Sequence, residues 1–177
     1  MTFPDPDSRA DIGPVVSSSH LAASSLPALS EVEFALTMAN HSFQRWMVRG
    51  MTAAGLPGLA PLDVLILHLV QHRARPKSLA DICLVLNIED THLANYAIRK
   101  LDRQGLVATG RSGKEKTIAI TDKGAKFCAR YGAIREALVL QAAQQLGHDP
   151  AELSRMAATL RALSGAYDQA ARAAAAM

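Results

Sequence analysis

Residues 76–120 constrain this chain more than any other stretch, because four elements follow one another there without slack. Ser78 stands where a helix start wants a capping hydroxyl, and Leu79, Ile82, Cys83 and Leu86 then recur at helical spacing. Asn87-Ile88-Glu89-Asp90 supplies a turn. A second helix is predicted over about residues 91–104, capped by Asp90 or Thr91 and stopped by Gly105. A hairpin follows, with strands predicted over 106–109 and 116–120 and a Gly110-Arg111-Ser112-Gly113 tip.

On the second helix, Ala94, Ala97, Ile98 and Leu101 fall on one face by the i, i+3, i+4, i+7 rule, and that face is predicted to meet the core. The opposite face carries His92, Asn95, Tyr96, Arg99 and Arg103. Asn can pair with adenine, Arg with guanine or phosphate, and Tyr with a phosphate or a base edge. A cap at Asp90 or Thr91 leaves backbone N–H groups at the helix start for phosphate. Arg111, Lys114 and Lys116 make the hairpin a cationic finger suited to the DNA backbone or the minor groove. Helix, tight turn, helix and basic hairpin is the layout of a winged helix-turn-helix. Its candidate DNA-binding residues are Ser78, Thr91, His92, Asn95, Tyr96, Arg99, Arg111, Lys114 and Lys116.

Three segments also carry a family resemblance: Ser78-Leu-Ala-Asp-Ile-Cys-Leu-Val-Leu86, Ala97-Ile-Arg-Lys-Leu-Asp-Arg-Gln-Gly-Leu-Val107 and Ile118-Ala-Ile-Thr-Asp-Lys-Gly-Ala-Lys-Phe127. Together they resemble the multiple antibiotic resistance regulator (MarR) family over about residues 30–170. The Leu-x-x-x-Gly-Leu-Val element at 101–107 and the Ile-Thr-x-x-Gly element at 120–124 are the most specific parts. The resemblance implies a homodimeric transcriptional regulator with a small-molecule pocket between the DNA-binding lobe and the dimer helices. The family's wing usually ends in an Asp-Arg-Arg-like triplet. Here Lys114-Glu115-Lys116 stands instead, keeping the charge without the Asp–Arg pairing.

Charge distribution points the same way. Residues 73–130 hold 12 Lys and Arg against 6 Asp and Glu, while the rest holds 7 against 10, so the positive charge sits on the proposed DNA lobe. Cys83 and Cys128 lack paired spacing, which fits a reducing compartment. No basic and apolar leader opens the chain, and the longest apolar stretch, 62–70, is too short to span a bilayer. A soluble, cytoplasmic bacterial regulator is therefore expected, with no membrane partner.

The flanking segments are predicted to be helical. With 49% apolar residues, Ala- and Leu-rich, and 5% aromatics, the expected fold is mainly α with a small β-hairpin wing. Residues 1–28 read as a flexible arm. Residues 29–58 form an N-terminal dimerisation helix opened by a Ser30/Glu33 capping box and ended by Gly55-Leu56-Pro57-Gly58. Residues 59–122 are the winged lobe, where Leu62, Leu65, Ile66 and Leu69 read as the core stripe of a helix begun by Pro61. Residues 123–177 hold C-terminal dimerisation helices, one capped by Thr121 and running to about 146, one opened by Asp149-Pro150-Ala151-Glu152. In the last, Leu153, Met156, Leu160, Leu163 and Tyr167 recur as a heptad seam that wants a second copy of the chain.

His68 and His72, four apart, are too few for a metal site, and no metal or other cofactor is expected. His41, Trp46 and His68 are the candidates for a ligand cavity, against the plainer reading of Trp46 as core and His41 as exposed. Cys83 reads as a small core residue rather than a redox switch. The sequence carries no phosphate loop, nucleophile elbow or ligand-spaced cluster, so it is not read as an enzyme. The expected function is a dimeric regulator that binds an inverted-repeat operator in double-stranded DNA, with a small aromatic or apolar effector. The alternative is a winged-helix module that binds protein and has lost DNA binding. A module of that kind has no reason to keep Arg99, Arg111, Lys114 and Lys116.

Overall fold

A computed structural model describes residues 15–113, 115–147 and 149–177. It divides into two compact units, one ending at Tyr131 and the other beginning at Gly132. The first unit runs α1 (Ser19–Ala22), α2 (Pro27–Ala53), α3 (Pro61–Gln71), β1 (Lys77–Ser78), α4 (Leu79–Val85), α5 (Thr91–Arg103), β2 (Val107–Ser112), β3 (Glu115–Ile120) and most of α6 (Asp122–Arg135). The fold is mainly helical with one three-stranded antiparallel sheet, ordered β1-β3-β2.

Helix α2 starts at Pro27, three residues before the capping box placed at Ser30/Glu33. Proline suits the first helical position, where an N–H would have no partner. Ser30 instead lies inside the helix, buried, and its hydroxyl donates to the Leu21 carbonyl at 2.8 Å, pinning the α1 turn. The proposed arm is thus helical at Ser19–Ala22, and its residues 1–14 lie outside the described residues. At the other end Gly55, at φ +94, lets Leu56 N–H reach the Met51 carbonyl at 2.9 Å and Gly55 N–H reach that of Thr52 at 3.0 Å. These two bonds satisfy the last carbonyls of the helix.

The core stripe of α3 is turned by about one residue from the Leu62, Leu65, Ile66, Leu69 expectation. Asp63, Val64, Ile66, Leu67 and Val70 are buried, while Leu62, Leu65 and Leu69 are half-buried. Asp63 can face inward because Lys100 of α5 meets it at 2.6 Å and the Ala60 N–H donates to the same carboxylate oxygen at 2.7 Å. A charge with such partners tolerates burial.

Both helices of the central motif end alike. Asn87, at φ 52, and Gly105, at φ +68, close α4 and α5, with Ile88 N–H on the Cys83 carbonyl and Leu106 N–H on that of Leu101. Ser78 caps α4 in a full capping box with Asp81. The hairpin is longer and its turn tighter than predicted. Gly110 and Arg111 are in β2, Ser112 pairs with Glu115, and Gly113 takes φ +62 at the end of β2. Strand β1 was not anticipated: Lys77 pairs with Ile118 and Ser78 with Thr117. At the hairpin's exit Thr121 caps α6, accepting from Gly124 N–H at 3.1 Å while its hydroxyl donates to the Gly105 and Leu106 carbonyls.

The core gathers Met51, Val64, Ile66, Leu67, Val70, Ile82, Ala94, Ile98, Leu101, Leu106 and Ile118, all at 0% exposure. In the second unit the helix begun as α6 passes through a π-helical stretch (Glu136–Leu140) into α7 (Gln141–Gln145). Helix α8 (Pro150–Ala174) opens with the expected capping box of Asp149 and Glu152. Leu153, Met156 and Leu160 of its seam are exposed, and Leu163 and Tyr167 half-buried.

Candidate nucleic-acid interface

Helix α5 is seated by the face that the spacing predicts: Ala94, Ala97, Ile98 and Leu101 are all buried. The Lys100–Asp63 pair, with the carboxylate only 4% exposed, ties its flank to α3 and fixes its rotation about that seam. The outward face is then obligatory. Thr91, His92, Tyr96, Arg99 and Arg103 are exposed, Tyr96 by 66%. Asn95 is half-buried and its Nδ2 donates to the Thr91 carbonyl at 3.1 Å, which leaves the amide oxygen for a partner.

Two candidates depart from the expected arrangement. Ser78 is buried, and its hydroxyl accepts from Asp81 N–H at 3.1 Å, so its work is the α4 cap. The start of α5 is capped by Asp90, whose carboxylate accepts from His92 N–H at 2.8 Å. That donor is therefore taken, and Thr91 is the first helical residue rather than the cap.

In the wing, Arg111 of β2 and Lys116 of β3 are direct cross-strand partners, and both are exposed. Like charges directly opposite in a hairpin destabilise it. No carboxylate pairs with either among the described residues. Lys114 lies outside the described residues. An exposed cationic rung of this kind suits a polyanion, whose phosphates relieve the repulsion.

A profile of the winged helix DNA-binding domain family matches residues 59–124. Residues 59–124 thus match that family in sequence and carry its order of helix, turn, helix and hairpin. A comparison with curated protein sequences finds no match. Solved structures share the fold of the winged helix domain and its flanking helices. CouR from Rhodococcus jostii RHA1, solved bound to p-coumaroyl-CoA, is 17% identical, with a TM-score of 0.62 over 75% of this chain and 90% of that one. Sco5413, a MarR family transcriptional regulator from Streptomyces coelicolor, is 19% identical, with a TM-score of 0.62 over 81% and 97%. Staphylococcus aureus MepR in its DNA complex is 16% identical, with a TM-score of 0.60 over 77% and 97%. The chain thus has the fold of MarR family regulators built on a winged helix DNA-binding domain. No helix among the described residues is long and apolar enough to cross a membrane.

His41 borders a groove that neither Trp46 nor His68 lines. Tyr131 of α6 takes the place beside His68, ring centroids 4.6 Å apart, and packs against Trp46 at 5.8 Å. His41 lies elsewhere on α2, exposed in a groove with Arg45 and Arg49. His72 is exposed in the turn after α3. Cys128 is buried, and burial pushes its thiol up to about 11, which removes it from thiolate chemistry at neutral pH.

His68 makes a prediction of its own. Its Nε2 is buried with no hydrogen-bond partner among the described residues, and burial holds its pKa below the ordinary 6.5. The folded state keeps the ring neutral where the unfolded chain takes a proton, so stability falls as pH drops below about 6.5. Thermal unfolding between about pH 7.5 and about pH 5.5 should show that loss, and His68→Leu should reduce it. An equal loss in the variant would put the pH dependence elsewhere.

Proposed function

We propose that the protein is a homodimeric, sequence-specific transcriptional regulator that binds an inverted-repeat operator through α5 and the wing and answers to a small-molecule effector in the cytoplasm. The observation that carries the DNA reading is the exposed Arg111/Lys116 rung, without a carboxylate partner among the described residues, in the same lobe as a firmly seated α5 whose outer face offers Tyr96, Arg99 and Arg103. DNA binding uses those groups, and a protein-binding relic has no need of a rung that weakens its own hairpin.

Dimerisation is supported by two uncovered stripes. On α2 the apolar line that is buried at Met47, Gly50 and Met51 continues toward the N-terminus as Phe43, Leu36 and Val32, which are exposed. On α8 the Leu153, Met156, Leu160 line is 44–46% exposed. Seams of this kind are covered by association. In such a dimer the N-terminal helix and the helices after residue 122 are the dimerisation parts, and Leu163 and Tyr167 extend the α8 contact. Small-molecule control is proposed by likeness to CouR, whose structure holds p-coumaroyl-CoA.

Base readers and phosphate contacts should fail differently. Asn95→Ala or Arg99→Ala should cost about 1–3 kcal/mol of operator affinity and relax sequence preference. Lys116→Ala should weaken all sequences alike and flatten the salt dependence by about one unit. Binding assays on operator and random duplex across a salt series separate the two. Operator affinity indifferent to both classes of variant would refute this recognition surface.

A further inference from the structure

Helix α5 meets the core through Ala94, Ala97, Ile98 and Leu101, and the Lys100–Asp63 pair holds its flank. Leu93, in the first turn of the same helix, belongs to neither contact and is 56% exposed. Lys100 follows it by two helical turns on the same flank, with its amine 2.6 Å from Asp63 and its side chain 24% exposed. That flank is therefore covered at Lys100 and open at Leu93. Tyr96, at i+3 and also exposed, is the neighbour of Leu93 on the helix surface. The two make an apolar strip on a helix whose other exposed side chains toward the start, Thr91 and His92, are polar.

Direction matters here as much as exposure. Cα–Cβ bonds of a helix tilt toward its N-terminus, so a side chain in the first turn leans past the helix start. In a reading helix the N-terminal residues are the ones that meet base edges in the major groove. An isobutyl group has no donor or acceptor to offer a phosphate or a polar base edge. What it can match there is the one apolar group that the groove presents, the C5 methyl of thymine.

We infer that Leu93 is a specificity-determining residue that packs on the methyl group of one thymine in each half-site. The inference rests on the reading of α5 as the DNA-reading helix, and it adds a named base and the contact that selects it. Such a contact separates thymine from uracil. Hydrogen-bonding side chains cannot make that distinction, because both bases present the same O4 acceptor.

The test uses the full chain and an operator fragment selected by binding from genomic DNA. Each thymine of both half-sites is replaced in turn by deoxyuridine, which lacks only the methyl. One thymine should stand out, its replacement weakening the parent by about fourfold per half-site, the effect of withdrawing one methyl-sized group from an apolar contact. Leu93→Ala should bind the thymine and uridine duplexes alike at that position. With the pair changed to C·G, 5-methylcytosine should bind the parent more tightly than cytosine does, and Leu93→Ala should not tell them apart. Circular dichroism confirms that the variant is folded. The inference is overturned if no thymine is sensitive to loss of its methyl, or if Leu93→Ala keeps the parent's sensitivity, which would assign the methyl to another side chain such as Tyr96. Either result leaves operator binding by the parent intact. Failure of the DNA reading looks different: no fragment is bound above random duplex, and the thymine contact falls with it.

Discussion

Gly124→Ala is expected to unfold the winged lobe or to cost it at least about 3 kcal/mol. A Cβ at this position would lie 2.1 Å from the Leu106 carbonyl oxygen and 2.7 Å from Ile120 Cδ1. The isoleucine tip could turn aside. The carbonyl cannot, because it is fixed by Thr121 N–H at 3.2 Å and the Thr121 hydroxyl at 3.0 Å. Relief therefore has to come from separating α6 from the strand that enters the wing, which breaks the Thr121 cap as well. Gly132 lies in the same helix with nothing within 4 Å of its Cβ position. Gly132→Ala should accordingly be neutral or add up to about 1 kcal/mol through helix propensity. Urea unfolding of the two variants beside the parent decides it. A Gly124→Ala midpoint within error of the parent would mean that this helix–strand approach is looser than described.

The second large effect is on assembly. Leu160→Lys puts a charge in the middle of the α8 stripe, and if that stripe is a buried dimer seam the cost is several kcal/mol. Leu160 is 44% exposed within one chain, so the same change should leave the protomer's own helix content intact. Light scattering should then show a dimeric parent and a monomeric or aggregated variant, with unchanged far-ultraviolet circular dichroism. A parent that is monomeric at about micromolar concentration would remove the dimer, and the twofold operator with it.

How much of this was legible in the sequence varies with the range of the interaction that decides it. The seating of α5 was readable because Ala94, Ala97, Ile98 and Leu101 make a strong local pattern with caps at both ends. The α3 stripe was read about one residue out of phase, because Asp63 counts as a surface residue until Lys100, far along the chain, is seen beside it. Strand β1 has two residues and no pattern of its own; pairing with β3 creates it. The wing's turn was placed too early because Gly110 and Gly113 both suit a turn, and the register with β3 selects Gly113. The capping box at Ser30 was plausible locally, yet Pro27 starts the helix sooner and Leu21 claims the serine hydroxyl. His68 and Trp46 each meet the Tyr131 ring, a partner the sequence reading did not place beside them. Nothing near either in the sequence signals that partner.

The central claim, that two copies of α5 and the wing read one duplex, is tested most directly by footprinting on an operator selected from genomic fragments. Two reading helices related by a twofold axis require an inverted repeat, with half-site centres about one helical turn, roughly 10 base pairs, apart. The wings, carrying the Arg111/Lys116 rung, then reach outward to flanking minor groove, where A·T pairs narrow the groove and concentrate negative potential. The account predicts a protected palindrome of about two turns whose affinity falls when flanking A·T pairs become G·C, and falls less in Arg111→Ala. Protection of a single unsymmetric half-site, or affinity indifferent to the flanks, would contradict it.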